Sequence, residues 1–162
     1  MLPPLLATLN SVKLVLAAIS PTRTRAKSDA AQTLAAEYLA RAARYLPCEP
    51  RHYSSEAALL AALDRQPART APILILLDSR GKQLSSEEFA ARLGRLRDSG
   101  AQSLTLANGP ADGWSEAARA RASLTISLGL ITLPHELARA VLAEQIYRAL
   151  TILANHPYHS AH

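Results

Sequence analysis

The stretch PILILLD (72–78) places five consecutive aliphatic residues between a proline and an aspartate. A strand with one solvated face alternates apolar and polar residues, whereas a strand covered on both faces is apolar throughout. This run is therefore typical of a strand inside a parallel sheet that has helices on both faces.

Short apolar runs and longer helical patterns alternate on either side of this stretch. Strands are predicted at 12–19, near 51–53, and at 72–78, 102–107 and 123–128. Helices are predicted at 28–46, at roughly 55–65, at 85–100, at 114–122 and at about 134–153. Ser28 or Asp29 would cap the first helix, and a capping box from Ser85 to Glu88 would begin the third, which stops at Gly100. The segment SPTRTRAK (20–27) is expected to be a loop, and SRGK (79–82) is expected to turn the chain. The alternation predicts one α/β domain over 1–162 with a mostly parallel sheet.

Composition limits the class of protein. The single cysteine, Cys48, excludes an internal disulfide and suits a reducing compartment. The first ten residues lack a basic segment and contain two prolines, so we expect a possible N-terminal extension (1–10) and not a signal peptide. No apolar run reaches the length of a membrane span. We therefore expect a soluble, cytoplasmic protein, whose net charge of +5 permits an anionic partner without requiring one.

The loops that follow the predicted strands are the expected place for a ligand, because open parallel sheets bind ligands beyond the carboxyl ends of their strands. Gly109, Gly113 and Gly129 lie in the last two of these loops. They either let the backbone approach a ligand closely or are ordinary turn glycines. The chain has no dinucleotide fingerprint, no P-loop, no metal-binding Cys/His spacing and no G-x-S-x-G motif.

The final predicted helix is apolar around most of its circumference, so it has to be covered on more than one side. Its second cover is either another copy of the protein, giving a homodimer, or the rest of the same subunit. The chain then ends in ILANHPYHSAH (152–162), which is either a solvated tail or a functional one.

Two segments carry a resemblance to a known family. The stretch 132–159 resembles the pattern P-H-x-x-x-R-x-x-L-x-E-Q-x-Y-R-A followed by H-P-Y-H, and 76–90 resembles L-D-x-x-G-K-x-x-S-S-E-x-F-A. Both patterns are typical of the RlmH family, the ribosomal RNA large-subunit pseudouridine-N3 methyltransferases of the knotted SPOUT class. GPADG (109–113) lies where that family has G-G-x-x-G.

The resemblance implies a C-terminal trefoil knot and a cofactor, S-adenosylmethionine (AdoMet). It implies a homodimer that acts on large-subunit ribosomal RNA in the ribosome, with one subunit's tail completing the partner's active site. The cofactor-binding candidates are Leu77, Gly109, Leu128, Gly129, Leu130, Ile131, Thr132 and Leu133. The catalytic candidates are His156, Tyr158 and His159. His159 would accept a proton or orient the substrate, and Tyr158 would stack on the base or bond to it.

Cationic residues are the candidates for RNA contact. Arg139 and Arg148 would each contact phosphate or pair with a carboxylate, and for Arg148 that carboxylate would be Glu144. Arg23, Arg25 and Lys27 form either an RNA-binding loop or a solvated basic one. No DNA, membrane or metal is expected as a partner. His135 has two equally expected roles: a purely structural one at the start of the final helix, or a functional one.

Two residues in the expected cofactor loop depart from the family pattern. Asn108 stands where an aliphatic residue is usual, and Pro110 replaces a glycine and so removes one backbone N–H. They leave open a noncatalytic RNA- or ribosome-binding dimer with a decayed cofactor loop. A knotted methyltransferase with a different RNA target is a third possibility.

Overall fold

The computed structural model describes residues 12–20, 30–67 and 69–161. In this part of the chain five strands alternate with five α-helices, and a short 3₁₀ helix follows at His159–Ala161. The strands are β1 Lys13–Ile19, β2 Cys48–Tyr53, β3 Ile73–Gln83, β4 Ser103–Asn108 and β5 Leu124–Ser127. The helices are α1 Ala30–Ala42, α2 Glu56–Asp64, α3 Ser86–Arg97, α4 Glu116–Arg121 and α5 His135–Leu153. The residues proposed to cap α1, and the basic loop before it, lie outside the described residues.

The five strands form one sheet in the order β2-β1-β4-β3-β5, and every neighbouring pair is parallel. One face packs against α1, α3 and α5 through side chains such as Leu39, Leu93 and Ile146. The other face packs against α2 and α4 through Leu59 and Ala118, among others. The predicted α/β sandwich with a parallel sheet and helices on both faces is confirmed, while the trefoil knot stays a prediction.

The start of α3 matches its predicted capping box. The Ser85 hydroxyl accepts the Glu88 N–H at 3.1 Å, and the Glu88 carboxylate accepts the Ser85 N–H at 2.8 Å. Two N–H groups that the helix leaves without partners are satisfied in this way.

The prediction that SRGK turns the chain is wrong, because these residues lie inside β3. Ile126 of β5 pairs with both Leu77 and Lys82, so residues 78–81 bulge out of the ladder and the strand then resumes. Two local features permit the bulge. The Asp78 carboxylate accepts the Arg80 N–H at 2.9 Å, and Gly81 passes so close to β5 that a Cβ there would lie 2.5 Å from the Ile126 carbonyl carbon.

Helix α5 is covered within one subunit. It packs against α1 and α3, and from Ala138 to Leu153 all of its residues are buried or half-buried. This cover accounts for the apolar circumference of the helix without a second copy. The homodimer therefore stays a prediction.

Candidate active site

A cavity of about 510 Å³ lies beside the irregular middle part of β3, where β4 ends and α5 begins. Its volume lies within the range of small-molecule sites, roughly 300–1,000 Å³. It is lined by the β3 bulge (Leu77, Asp78, Ser79 and Arg80), by residues 108–114, and by Leu133, His135 and Ala138. The cavity is at the edge of the sheet where the sequence predicts a ligand.

The β3 bulge gives the cavity a fixed ion pair. The Asp78 side chain is 3% exposed, and it accepts bonds from Arg80 Nε and Nη2, each at 3.2 Å. Arg119 of α4 lies 4.0 Å from the same carboxylate. Burial opposes ionisation of Asp78, but the hydrogen bonds from Arg80 outweigh it and hold the pKa of the carboxyl below its usual value.

The loop after β4 is shaped around a single indole. Trp114 is buried and donates from Nε1 to the Leu77 carbonyl at 2.9 Å. A Cβ at Gly109 would lie 2.5 Å from Trp114 Cε2, so only glycine leaves room for the ring. The loop closes with the Gly113 N–H donating to the Pro110 carbonyl at 3.0 Å, and Gly113 has a φ of +84°. Pro110 therefore takes part in an ordered turn in the cavity wall.

Asn108 ties the loop after β4 to the start of α5. Its side chain is buried, and Nδ2 donates to the His135 carbonyl at 2.9 Å. His135 lines the cavity, and its Nε2 atom is buried without a hydrogen-bond partner among the described residues. Burial lowers the pKa of His135 below its usual value, and the nearby charges of Arg139 and His52 act in the same direction.

The candidate cofactor residues separate into two groups. Leu77, Gly109 and Leu133 line the cavity, whereas 128–132 do not. In that second segment Leu130 is 90% exposed and Ile131 is 82% exposed. Gly129 has a φ of +119°, and its N–H donates to the Ser127 hydroxyl at 3.1 Å, so it forms the turn after β5.

The tail folds back over α5 instead of continuing away from it. Asn155 adopts a left-handed conformation with φ 55°. The His156 N–H donates to the Thr151 carbonyl at 2.9 Å, and the Asn155 N–H donates to the Ile152 carbonyl at 3.1 Å. These bonds form a Schellman motif, which satisfies the last carbonyls of the helix and reverses the chain.

Five side chains hold the tail in place, and we call them the tail cluster: Glu144, Tyr147, Arg148, Tyr158 and His159. Glu144 Oε1 accepts from Arg148 Nη2 at 2.6 Å and from the Tyr158 hydroxyl at 3.0 Å. The Tyr158 ring lies 4.7 Å from the Tyr147 ring, centroid to centroid, and 4.9 Å from Arg148 Cζ. Burial, together with hydrogen bonds to Tyr38 and Glu144, raises the pKa of the Tyr158 phenol. Of the two roles foreseen for Arg148, pairing with Glu144 is confirmed.

The contacts of His159 define where its proton lies. A guanidinium nitrogen can only donate, so the 3.3 Å contact between Arg148 Nη1 and His159 Nδ1 makes Nδ1 the acceptor. The ring proton then lies on Nε2, which donates to Glu87 Oε1 of α3 at 2.8 Å. His156 is placed apart from this network, with its Nδ1 accepting the Tyr158 N–H at 3.2 Å.

Within one subunit the cavity and the tail cluster are separate. His135 begins α5 and Arg148 lies near its other end, about 20 Å further along at ~1.5 Å per residue. Arg139 is half-buried one turn after His135, and no ion pair joins it to another described residue. Arg23, Arg25 and Lys27 lie outside the described residues.

Sequence reasoning missed three residues of the cavity wall. Asp78 was assigned to the end of a strand, Arg80 to a turn, and Trp114 only to a helix. The available signal was the carboxylate directly after an aliphatic strand, followed by Gly81. A single tryptophan next to a glycine-containing loop gives no comparable signal.

Two kinds of feature are absent from the described part of the chain. None of its helices is long and apolar enough to cross a membrane. No group of three or more His, Cys, Asp or Glu side chains there is arranged to hold a metal ion.

Comparisons with known proteins identify the family of this chain. A family described as "Predicted SPOUT methyltransferase" matches residues 19–159. The chain is 53% identical over 138 residues to the "Ribosomal RNA large subunit methyltransferase H" of Koribacter versatilis, covering 85% of this chain and 94% of the relative. Its fold resembles that of a probable methylase family protein from Haemophilus influenzae, with a TM-score of 0.51, 11% identity and coverage of 91% of this chain and 70% of that one. It also resembles the SpoU methyltransferase AviRb from Streptomyces viridochromogenes, with a TM-score of 0.46, 15% identity and coverage of 90% of this chain but only 62% of that longer protein.

Proposed function

Because the chain belongs to the SPOUT methyltransferase family, we propose that it transfers a methyl group from AdoMet to large-subunit ribosomal RNA. We further propose that the acceptor is N3 of a pseudouridine and that the substrate is the assembled ribosome in the cytoplasm. The relative from Koribacter versatilis, which shares half of its residues with this chain, is itself named a large-subunit ribosomal RNA methyltransferase.

The cavity is the observation that carries the proposal. It has apolar walls from Leu77, Leu133 and Ala138 against which an adenine ring can pack, and bare backbone at Gly109. The unpaired His135 Nε2 is a polar atom still in need of a partner. These features fit AdoMet, which supplies a methyl group on a positively charged sulfur when bound. We assign its binding to this cavity together with the candidate residues of 128–133.

The tail cluster supports the choice of a base as acceptor. Transfer to N3 requires loss of the imide proton, and a histidine is suited to accept it near neutral pH. His159 is held with its lone pair on Nδ1, and Tyr158 offers a hydroxyl and an aromatic face beside it. His156, Tyr158 and His159 would therefore position the base and handle the proton. Orientation would supply more of the acceleration than the proton transfer itself.

A homodimer would bring the two parts of this site together. In one subunit the tail cluster lies near the opposite end of α5 from the cavity, so a partner's tail is needed to reach it. Leu130 and Ile131 are almost fully exposed beside the start of α5, and large aliphatic side chains in that state favour burial against another chain. Arg139, with the basic loop that contains Arg23, Arg25 and Lys27, would contact RNA phosphate.

The test is transfer of labelled methyl from AdoMet to ribosomes from cells that lack this gene. We expect incorporation at a pseudouridine of the large subunit, and at least about a tenfold slower transfer by His159→Ala. Free ribosomal RNA serves as the parallel substrate. Because a small protein has little surface for reading bare RNA by sequence, we expect free RNA to be methylated far more slowly than intact ribosomes.

Each negative result has a separate meaning. Full activity of His159→Ala would support the proposed enzyme activity but show that His159 belongs only to a structural tail. Equal rates on free RNA and ribosomes would contradict the ribosome as substrate. No transfer together with no AdoMet binding would favour the noncatalytic binding module, with a cavity that Asn108 and Pro110 have made unfit for the cofactor.

A further inference from the structure

We propose that His135 is a cofactor-binding residue, whose Nε2 atom forms a hydrogen bond with an oxygen of AdoMet in the cavity. The oxygen belongs either to the ribose or to the carboxylate of the methionine part. This inference rests on the proposed function, which supplies AdoMet as the ligand.

The first support is an unmet hydrogen bond. Among the buried side-chain nitrogen and oxygen atoms of residues 12–20, 30–67 and 69–161, only His135 Nε2 has no partner. Burying a polar atom without a partner costs about 1–3 kcal/mol, so native structures leave few such atoms. Since His135 lines the cavity, a turn of its ring would bring the buried Nε2 atom to a ligand bound there.

The second support is the way in which His135 is held. Asn108, at the end of β4, donates from its buried amide to the His135 carbonyl at 2.9 Å. This bond fixes the first residue of α5 against the end of the sheet, on the cavity wall formed by Leu133 and Ala138. A residue whose backbone is fixed in this way presents its side chain to a ligand from a defined position, which reduces the conformational freedom lost on binding.

The third support is the charge state of the ring. Burial opposes a charged imidazole most strongly, and the cation Arg139 acts in the same direction, while Glu136 acts against them. The pKa of His135 is lowered as a result, which keeps the ring neutral at neutral pH. A neutral imidazole has one N–H and one lone pair, so it can bond an oxygen without placing a second positive charge beside the sulfonium.

Calorimetric titration with S-adenosylhomocysteine, which resembles AdoMet but carries no transferable methyl group, tests this inference. For His135→Ala we expect binding about tenfold weaker, the value of one hydrogen bond. His135→Gln, whose amide can take the place of Nε2, should recover most of the loss. The matched control is Leu137→Ala, which truncates an exposed side chain in the same turn of α5 outside the cavity lining and should bind as the wild type does.

Two further measurements separate binding from structure. The thermal unfolding temperature of ligand-free His135→Ala should not fall, because no bond to Nε2 is lost. In the wild type, the Nε2 resonance of ¹⁵N-labelled histidine should shift when S-adenosylhomocysteine is added. 5′-Methylthioadenosine keeps the ribose but lacks the amino acid part. If its affinity is also reduced in His135→Ala, the partner is the ribose, and if it is unchanged the partner is the carboxylate.

The inference is overturned if the wild type and His135→Ala bind S-adenosylhomocysteine within twofold of each other, or if the Nε2 resonance does not move. Failure of the wild type itself to bind either AdoMet or S-adenosylhomocysteine would be a different result. It would contradict the proposed function, and the inference would fall with it.

Discussion

The cavity at the start of α5 and the tail cluster near its end differ in how their polar groups are satisfied. In the cavity, His135 Nε2 has no partner among the described residues, although the Asp78 carboxylate and the Asn108 amide nitrogen both form hydrogen bonds. In the tail cluster, both ring nitrogens of His159 have partners within the subunit. In the cavity one buried polar atom lacks a hydrogen-bond partner, whereas the polar groups of the tail cluster already bond to groups of the same subunit.

This difference indicates different routes to activity. The cavity can receive a ligand with its ion pair, its indole and its amide in place, because these groups are fixed by their own contacts. In the tail cluster, both ring nitrogens of His159 already have contacts, with Arg148 and with Glu87. These bonds have to be exchanged for bonds to a substrate. We therefore expect cofactor binding to be independent of the tail, and methyl transfer to depend on both regions.

The largest expected effect comes from a single methyl group that displaces the indole in the cavity wall. In Gly109→Ala the new Cβ would lie 2.5 Å from Trp114, so the indole must leave its place and lose its bond to the Leu77 carbonyl. We expect AdoMet affinity to fall at least about 100-fold and stability to fall by about 2–3 kcal/mol. Calorimetric titration and urea unfolding measure the two quantities.

Gly94→Ala is the matched control for that loss. Its Cβ would also meet a neighbour, at 2.9 Å, but that neighbour is the flexible end of Leu153 on the opposite face of the sheet. We expect its AdoMet affinity to be unchanged, whatever happens to its stability. If Gly109→Ala bound AdoMet as tightly as Gly94→Ala, the cavity would not be the cofactor site.

A smaller effect on stability, with a different effect on function, is expected from the tail cluster. Glu144→Ala removes the acceptor shared by Arg148 and Tyr158 and leaves a half-buried guanidinium without its carboxylate. We expect a cost of about 2 kcal/mol, about 30-fold slower methyl transfer to ribosomes, and AdoMet affinity within twofold of the wild type.

Helix α1 offers the matching control. Glu37 and Arg41 form an ion pair with the same i,i+4 spacing, but both side chains are well exposed. Glu37→Ala should cost about 0.5 kcal/mol or less and leave transfer unchanged. A Glu144→Ala protein that lost AdoMet affinity in parallel with transfer would show that the two regions are coupled, contrary to the contrast drawn here.

The sequence was a sufficient guide where local patterns decide the structure. The aliphatic run at 73–77 and the capping box at Ser85 each identify their element, because burial on both faces and helix capping leave a direct mark on residue type. The loop after β4 was likewise placed correctly as part of a cavity wall.

What the sequence could not supply depends on contacts between distant segments. The β3 bulge requires Gly81 to pass against Ile126, 45 positions later, and that approach cannot be seen from SRGK alone. In the same way, Asn108 was judged a departure from the family pattern, whereas its amide holds His135 across 27 positions. Leu130 and Ile131 were expected in the cofactor pocket and lie exposed in the single subunit, so their role depends on the cofactor or on a second chain.

The smallest expected effect concerns pH and the ion pair of the cavity. The pKa of Asp78 is lower in the folded protein than its unfolded value of about 3.9, because the bonds from Arg80 outweigh burial. Such a group stabilises the fold above pH ~3.9 and loses that contribution as pH falls through its folded pKa. Asp78→Asn should therefore be about 1 kcal/mol less stable than the wild type from pH 7 down to about pH 4, and the gap should close at lower pH. Urea unfolding followed by the fluorescence of Trp114, the only tryptophan, measures the gap at the cavity wall itself.

Asp98→Asn is the control for this prediction. It removes an Asp–Arg pair whose carboxylate is 68% exposed at the end of α3, and it should change stability little at any pH. A gap for Asp78→Asn that widened in acid would mean that burial prevails over Arg80, and that the wall of the cavity is held together by a neutral carboxyl group.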